Sequence, residues 1–164
     1  MKAIVGTLIF TVFVPGSVTV AVPYLLVTSG VELSYRIGQF RLIGVVQIAL
    51  GIALCFWTAW DFAFAGKGTP APVDPPKILV SRRFYRIVRN PMYAGVELVL
   101  IGEAVFFMSL TLLAYALLVW LLFHLFVVYY EEPHLRKEFG ATYDEYCKVV
   151  PMWIPALKRA QSDG

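Results

Sequence analysis

Two clusters of polar side chains interrupt an otherwise apolar chain, and both carry groups that can bind a charged ligand. The first cluster is Arg89, Asn90 and Pro91, and the second is the acidic pair Glu131 and Glu132. Asn followed by Pro is a typical helix start, and the free N–H groups of a helix N-terminus attract a carboxylate or a phosphate. Arginine adds a bidentate fork for the same anions, whereas carboxylates attract cations. Together the two clusters suit a zwitterionic or mixed-charge ligand.

A hairpin of the last two apolar runs would bring these clusters together. The stretch 91–130 is long enough for two membrane spans of about 20 residues each, and Ser109–Thr111 is predicted to form a turn at its middle. In an antiparallel hairpin that turns near Leu110, residues at equal depth have numbers that sum to about 220, because both helices have the same rise per residue. The pairs predicted at equal depth are Arg89 with Glu131, Asn90 with Tyr130, and Tyr93 with Val127.

The same hairpin leaves two interpretations of the paired clusters open. Arg89 opposite Glu131 is either part of a ligand-binding mouth or a plain ion pair that closes the hairpin. Glu97 falls near His124 at greater depth, where an acid inside a membrane span is either a functional group or the partner of that histidine. Glu103 lies deeper still and is expected to be a packing residue.

The composition indicates a membrane protein. The chain has 164 residues, of which 59% are hydrophobic and 15% are charged, with a formal net charge of +3. An ordinary soluble domain has about 25% charged residues, so this chain has too few polar side chains to cover a water-exposed surface. The same composition excludes intrinsic disorder and a small disulfide-stabilised secreted domain. We expect membrane lipids as partners and no nucleic acid.

Long apolar runs and blocks of basic residues predict an all-α, multi-pass membrane protein. Candidate spans are Ala3–Val27, Phe40–Ala65 and the two halves of 91–130, which together give four transmembrane helices. A cleaved signal peptide is the alternative for the first span, but the apolar stretch is longer than a typical signal sequence. The positive-inside rule places the basic blocks and both termini on the cytoplasmic side of the inner membrane. The blocks are Lys67, Lys77, Arg82, Arg83, Arg86 and Arg89, and then Arg136, Lys137, Lys148, Lys158 and Arg159.

The chain divides into two regions. Residues 1–65 are predicted to form an N-terminal pair of transmembrane helices, and residues 66–164 form the core that carries both polar clusters. The cytoplasmic connector 66–90 is predicted to be extended because it holds four prolines. It is either a plain spacer between spans or, through its basic and aromatic second half, a segment that contacts anionic lipid headgroups. The tail is predicted to be a short amphipathic helix, or a helix pair broken at Gly140, with Trp153 at the membrane interface. The cysteines and histidines lack the spacing of a disulfide or a metal site.

Three motifs of the core carry a family resemblance. They are RNPMY at Arg89–Tyr93, EEP at Glu131–Pro133 and FGxxYxxY at Phe139–Tyr146. Their combination at these spacings resembles the isoprenylcysteine carboxyl methyltransferases, integral membrane enzymes, in their short prokaryotic form. The phospholipid N-methyltransferases are more distant relatives. The similarity runs from about Gly66 to Pro155.

The resemblance implies a methyltransferase that uses S-adenosylmethionine and releases S-adenosylhomocysteine, with its pocket between the last two spans, the connector and the tail. Aromatic faces in that pocket suit the sulfonium through cation–π contact. The residues implied to bind the cofactor are Tyr85, Arg89, Asn90, Tyr93, His124, Tyr129, Glu131 and Glu132. Those implied to act in catalysis are Arg89, Glu131 and Glu132. Those implied to contact the acceptor are Asn90, Glu97 and Trp153.

The acceptor implied by the resemblance is a lipophilic molecule that enters from the bilayer, with a carboxylate of isoprenylcysteine type that becomes O-methylated. The alternatives are N-methylation of a phospholipid or another amine, an NADPH-dependent sterol-type reductase, and a non-enzymatic membrane adaptor. The tandem acids disfavour the reductase because carboxylates repel a 2′-phosphate. Two positions depart from the family pattern. Arg83-Phe84 replaces a common Gly-Pro, which is expected to remove a tight turn, and Met152 replaces a common Arg.

Overall fold

The computed structural model of the protein describes residues 15–30, 33–61, 79 and 83–155, and its regular elements in these ranges are helices. The six α-helices that we number here are α1 (Val22–Thr28), α2 (Leu42–Asp61), α3 (Pro91–Phe107), α4 (Leu110–Phe126), α5 (Glu132–Phe139) and α6 (Ala141–Val149). The all-α prediction is therefore confirmed. The start of the first predicted span, the end of the second, most of the connector and the last residues of the tail lie outside the described residues.

Among the described residues, two helices are long and apolar enough to cross a membrane. They are Gly38–Asp61, which is α2 with a preceding 3-10 turn, and the continuous 30-residue helix Leu110–Phe139. The apolar helix Ser17–Thr28 is shorter, and α3 has 17 residues. Length and composition thus support membrane association, while the number of four spans stays a prediction.

The last two apolar runs form the predicted hairpin. The turn comes slightly earlier than expected, because α3 ends at Phe107 and Met108 takes a left-handed conformation with φ 56°. Ser109 then caps α4 by accepting a hydrogen bond from the Leu112 N–H at 3.2 Å. The loop before α2 lies at the same end, since the Tyr35 N–H donates to the Met108 carbonyl at 2.9 Å.

Glycines let α2 and α3 approach closely. A Cβ added to Gly51 would lie 2.6 Å from the Gly95 carbonyl oxygen, and one added to Gly102 would lie 2.8 Å from the Gly44 carbonyl oxygen. The two glycines of each helix are seven residues apart, so the two contacts stack along one antiparallel interface. Small residues are the usual means of close helix packing in lipid, where apolar contact with the bilayer competes with helix association. This interface fixes α3 against α2.

Two π-helical turns precede prolines. The turn Ser17–Ala21 lies just before Pro23, within the first predicted span, and the turn Val127–Glu131 lies just before Pro133. A proline ring clashes with the carbonyl four residues earlier and offers no N–H, which a widened turn accommodates. In the second turn the Glu132 N–H bonds the Val127 carbonyl, five residues back. The π turn therefore joins α4 and α5 into one helix but changes which residues face α3 after it.

The tail folds as the predicted helix pair and returns to the connector. Gly140, with φ 52°, separates α5 from α6. After α6, the Pro151 carbonyl accepts a hydrogen bond from the Arg89 N–H at 2.8 Å. The prediction of an extended connector is wrong for its described end, since residues 83–86 form a 3-10 turn whose aromatic residues pack on neighbouring helices.

Replacing Gly51 with Ala tests the close helix contact. We expect Gly51→Ala to lower the free energy of unfolding by about 1–3 kcal/mol, because the nearest atoms to the new Cβ include backbone that cannot rotate away. Thermal unfolding in detergent measures the loss. The matched control is Gly16→Ala, where a Cβ meets no atom within 4 Å. Equal melting temperatures for the two variants would contradict the interpretation.

Candidate functional site

A buried ion pair closes the end of the hairpin opposite the Met108 turn. Arg89 Nη1 lies 2.6 Å from Glu132 Oε1, and the two side chains are 13% and 8% exposed. The predicted pairing of Arg89 with Glu131 is therefore wrong by one residue. The π turn explains the difference, because its extra residue rotates Glu132 toward the start of α3. We call the group Arg89, Tyr93, Glu131 and Glu132 the hairpin mouth.

Arg89 and Glu132 each have a second partner from the tail side. Arg89 Nη1 also donates to Cys147 Sγ at 2.8 Å, and Arg136 Nη2 lies 3.1 Å from Glu132 Oε2. Arg136 in turn contacts Asp144 at 3.3 Å. The ion pair is thus the centre of a network that joins α3, α5 and α6.

Glu131 takes a different partner in the same mouth. The Tyr93 hydroxyl donates to Glu131 Oε2 at 2.9 Å, although the depth arithmetic predicted Val127 opposite Tyr93. Val127 and Glu131 are the first and last residues of the π turn, so the Tyr93 hydroxyl bonds a residue about one helical turn beyond the predicted depth. The Tyr93 ring packs against Phe123 at 4.7 Å and faces Trp153 at 6.4 Å between ring centroids. Tyr93 therefore joins the charged mouth to an aromatic wall.

Asn90 occupies the predicted helix start but does not cap the helix with its side chain. Pro91 is the first residue of α3, as predicted, and Asn90 Nδ2 donates instead to the Met152 carbonyl at 3.3 Å. Asn90 is the N-cap residue, but its Oδ1, the atom that a side-chain cap would use, makes no cap hydrogen bond, and the Met152 contact holds the amide through its N–H₂ group. Since the tail contact uses a backbone oxygen, the Met152 departure leaves it intact. Tyr130, predicted at the depth of Asn90, is 51% exposed and stacks on His134.

His124 belongs to the aromatic wall and is not paired with Glu97. Its Nδ1 accepts a hydrogen bond from Trp153 Nε1 at 3.1 Å, and its ring stacks on Trp120 at 5.5 Å. The predicted alternative of a Glu97–His124 pair is therefore wrong. Trp153, expected at the membrane interface, is half-buried against this wall. Glu97 is 8% exposed, and its Oε1 has no hydrogen-bond partner among the described residues.

The two other tyrosines predicted at the site lie in contrasting positions. Tyr85 is buried, and its carbonyl accepts a hydrogen bond from the Tyr146 hydroxyl at 2.6 Å. Burial raises the pKa of the Tyr85 phenol, and the Glu131 carboxylate raises it further, so this residue stays neutral beside the mouth. Tyr129 is 77% exposed and lies outside the mouth, and its role as a cofactor contact stays a prediction.

Two residues beside the mouth were not among the predicted site residues. Cys147 contacts Arg89, and no motif indicated that role. Tyr143 is 3% exposed, and burial, followed by the nearby Glu132 carboxylate, raises the pKa of its phenol. The tyrosine spacing of the tail was the available signal for the second of these. Within the described ranges, His, Cys, Asp and Glu side chains do not gather into a group of three that would hold a metal.

The mouth has the chemistry to bind a charged organic ligand. Arg89 Nε is buried and has no hydrogen-bond partner among the described residues, which leaves one guanidinium donor for an anion. Glu131 and Glu132 offer carboxylate oxygens to a cation, and the Tyr93 and Trp153 rings lie beside them. The arrangement fits the zwitterionic ligand that the residue types predicted.

Comparison with known proteins places the chain in a family. A family model described as phospholipid methyltransferase matches residues 40–142. The chain belongs to the phospholipid methyltransferase family. The matched region runs from the start of α2 into α6 and contains the whole hairpin mouth. No solved structure matches the chain.

Curated relatives confirm the resemblance to isoprenylcysteine methyltransferases. The chain is 35% identical over 78 residues to protein-S-isoprenylcysteine O-methyltransferase B of Arabidopsis thaliana, covering 47% of this chain and 39% of that protein. It is 32% identical over 81 residues to the probable protein-S-isoprenylcysteine O-methyltransferase of Oryza sativa subsp. indica, covering 49% of this chain and 42% of that protein. The chain thus spans about two fifths of the length of the curated relatives that it matches.

Removing one charge of the buried pair should be costly. We expect Glu132→Gln to lower the free energy of unfolding by about 3–5 kcal/mol, because Arg89 would keep a buried charge without its partner. Chemical unfolding in detergent measures this. The control is Glu145→Gln, which breaks the ion pair of Glu145 with Lys148, where both side chains are about 70% exposed. We expect that control to match the wild type, and a similar loss in both variants would be evidence against a special role for the buried pair.

The π turn can be tested through the same pair. Pro133→Ala restores an N–H and removes the ring that clashes with the preceding turn, so α5 is expected to rotate toward regular α-helix. In that background Glu132→Gln should cost less than about 1 kcal/mol, because the alignment with Arg89 is already lost. A double-mutant cycle of unfolding free energies gives the answer. An undiminished cost in the Pro133→Ala background would show that Pro133 does not set the register.

Proposed function

We propose that the chain is the catalytic core of an integral membrane methyltransferase that uses S-adenosylmethionine and methylates a carboxylate of isoprenylcysteine type. The observation that carries the proposal is the convergence of Arg89, Tyr93, Glu131 and Glu132 at one end of a helical hairpin, inside the region that the family model matches. The relatives named as isoprenylcysteine O-methyltransferases support the acceptor class.

The residues of the mouth fit the methyl donor. S-adenosylmethionine supplies an activated methyl group on a sulfonium and also carries a carboxylate and an ammonium. Arg89, with its buried Nε lacking a hydrogen-bond partner in the described part of the chain, would hold the carboxylate. Glu131 and Glu132 would hold the ammonium, and the faces of Tyr93 and Trp153 suit the sulfonium.

The chain would contribute positioning and desolvation rather than proton transfer. A carboxylate acceptor is already ionised at neutral pH, so its methylation needs no general base. Holding two oppositely charged reactants in line and away from water lowers the barrier by proximity and by the loss of solvation. Asn90 and Trp153, whose hydrogen bonds hold the tail beside the mouth, and Glu97 below it would contact the acceptor.

The membrane arrangement follows from the same elements. We propose four spans in the inner membrane, with the hairpin mouth and both termini on the cytoplasmic side. The apolar helices Gly38–Asp61 and Leu110–Phe139 support this, because both are long enough to cross a membrane. Helix α3 packs against the first of them through its glycines and against the second through the hairpin. The donor would then enter from the cytoplasm and the lipophilic acceptor sideways from the bilayer.

N-methylation of a phospholipid amine is the second candidate. The description of the matching family model favours it. An amine acceptor must lose a proton, and the buried Glu97 carboxylate has an oxygen without a hydrogen-bond partner in the described ranges. His124 is less suited to that role, because its Nδ1 already accepts from Trp153.

Cofactor binding tests the proposed class. We expect the purified protein in lipid nanodiscs to bind S-adenosylhomocysteine by calorimetry, and Glu131→Ala with Glu132→Ala to weaken binding at least tenfold, because each lost charge-assisted contact is worth about 1.5–3 kcal/mol. Glu138→Gln, which removes an exposed acid of α5, is the control and should bind as the wild type does. NADPH should not compete. Absence of binding to folded protein, or displacement by NADPH, would overturn the proposal.

The acceptor is identified by the lability of the product. With methyl-labelled S-adenosylmethionine, a farnesylcysteine derivative with a free carboxylate should yield an ester that releases labelled methanol in base. Phosphatidylethanolamine as acceptor would yield a base-stable N-methyl product. Label found only in base-stable lipid would replace the O-methylation proposal with the second candidate.

A further inference from the structure

A groove of aromatic side chains lies beside the hairpin mouth and takes no part in the chemistry above. It combines a cavity of about 500 Å³ with a neighbouring one of about 260 Å³ at the end of α2. Trp57 and Arg83 line both cavities. We call it the Trp57 groove, and its walls are Phe56, Trp57, Trp60, Arg83, Phe84 and Ile87.

The walls of the Trp57 groove are suited to lipid. Trp57 and Trp60 are each 48% exposed, and Phe56 is 64% exposed, on a helix that is long and apolar enough to cross the bilayer. Tryptophan is enriched where the hydrocarbon core meets the headgroups. Because two tryptophans meet the charged side chains of Asp61 and Arg83 here, we place the groove at the level where a lipid chain ends and its phosphate begins.

The positively charged guanidinium of Arg83 lies at the rim of this groove. This group lies 5.7 Å from the centre of the Trp57 ring, and its Nε lies 3.5 Å from the buried Asp61 carboxylate. These contacts orient the group while the side chain stays 48% exposed. Arg83 has φ 51°, a left-handed conformation that favours glycine, so the turn expected to be lost at this departure from the family pattern is retained at a conformational cost.

The groove is separate from the hairpin mouth. None of its lining residues in the described ranges belongs to the mouth. Tyr85, which is buried in the 3-10 turn of residues 83–86 directly after Arg83 and Phe84, bonds Tyr146 of α6 through its carbonyl. A ligand in the groove would therefore leave the charged residues of the mouth available.

We propose that the Trp57 groove binds an anionic phospholipid of the surrounding bilayer, with the phosphate on the Arg83 guanidinium and an acyl chain along Trp57, Phe84 and Ile87. An apolar chain alone would need no cation at the rim, whereas a guanidinium fork matches phosphate oxygens. Basic residues next to the bilayer surface favour anionic over zwitterionic lipid. The proposal gives a defined site to the headgroup contact that was one of the two interpretations of the connector sequence.

Native mass spectrometry of the protein released from nanodiscs tests this site. The probes are phosphatidylglycerol, which is anionic, and phosphatidylcholine, which is zwitterionic and cannot accept a further methyl on nitrogen. We expect the wild type to retain phosphatidylglycerol about fivefold more than phosphatidylcholine at equal supply, and Arg83→Gln to reduce the ratio to near one. Arg41→Gln is the matched control, since Arg41 also lies over an aromatic ring, Phe106 at 5.8 Å, but at the other end of the bundle.

A second variant separates lipid binding from folding. Arg83→Gly removes the cation and adopts the left-handed conformation without strain, so it is expected to fold and to lose the lipid preference as Arg83→Gln does. Equal retention of both lipids by the wild type, or a wild-type preference in either Arg83 variant, would overturn the proposal. Loss of the preference in Arg41→Gln would overturn it too, because the effect would then be one of total charge. None of these outcomes depends on cofactor binding.

Discussion

The buried ion pair of Arg89 and Glu132 is the interaction on which the functional half of the molecule depends. It joins the start of α3 to α5. It is also linked to α6, because Arg89 bonds Cys147, and Arg136 contacts both Glu132 and Asp144. Two charges held at 13% and 8% exposure have lost most of their hydration, which their attraction offsets only when the geometry is good and other polar partners are present. The network around the pair supplies those partners, so the pair links the hairpin to the tail through buried polar contacts.

Proline chemistry determines how that pair is aligned. Pro133 follows the two acids directly and has no N–H to donate to the preceding turn. The helix accommodates it with the π turn Val127–Glu131. A helix of regular pitch would turn the two acids by a different angle. Glu131 is the last residue of this turn and Glu132 follows it, so one backbone irregularity orients two carboxylates toward two different partners, Tyr93 in α3 and Arg89 just before it.

The sequence was sufficient for the hairpin and for the depth of its polar residues, because rise per residue is nearly constant along helices. It was insufficient for the direction in which those residues point. Arg89 was matched with Glu131 because depth arithmetic carries no rotation, and the π turn rotates the residues that follow it. The match of Glu97 with His124, which precedes the π turn, failed for another reason, because the His124 ring bonds Trp153 of the tail. The tail was the other source of error. The Met152 carbonyl accepts a hydrogen bond from the Asn90 amide, and Trp153 donates one to His124. Such long-range contacts leave no local pattern in the sequence.

The balance of charge at the mouth bears on what it would hold. Arg89 is matched by Glu132, and Arg136 is shared between Glu132 and Asp144, while Glu131 receives a hydrogen bond from Tyr93 that brings no charge. The mouth therefore has an excess of carboxylate, which suits a ligand of net positive charge. S-adenosylmethionine has that charge because its sulfonium and ammonium outnumber its carboxylate, and S-adenosylhomocysteine loses it when the methyl group leaves. Under the proposed function, the same carboxylates that favour the donor hold the product less strongly, so the charge lost in the reaction also promotes release of the product.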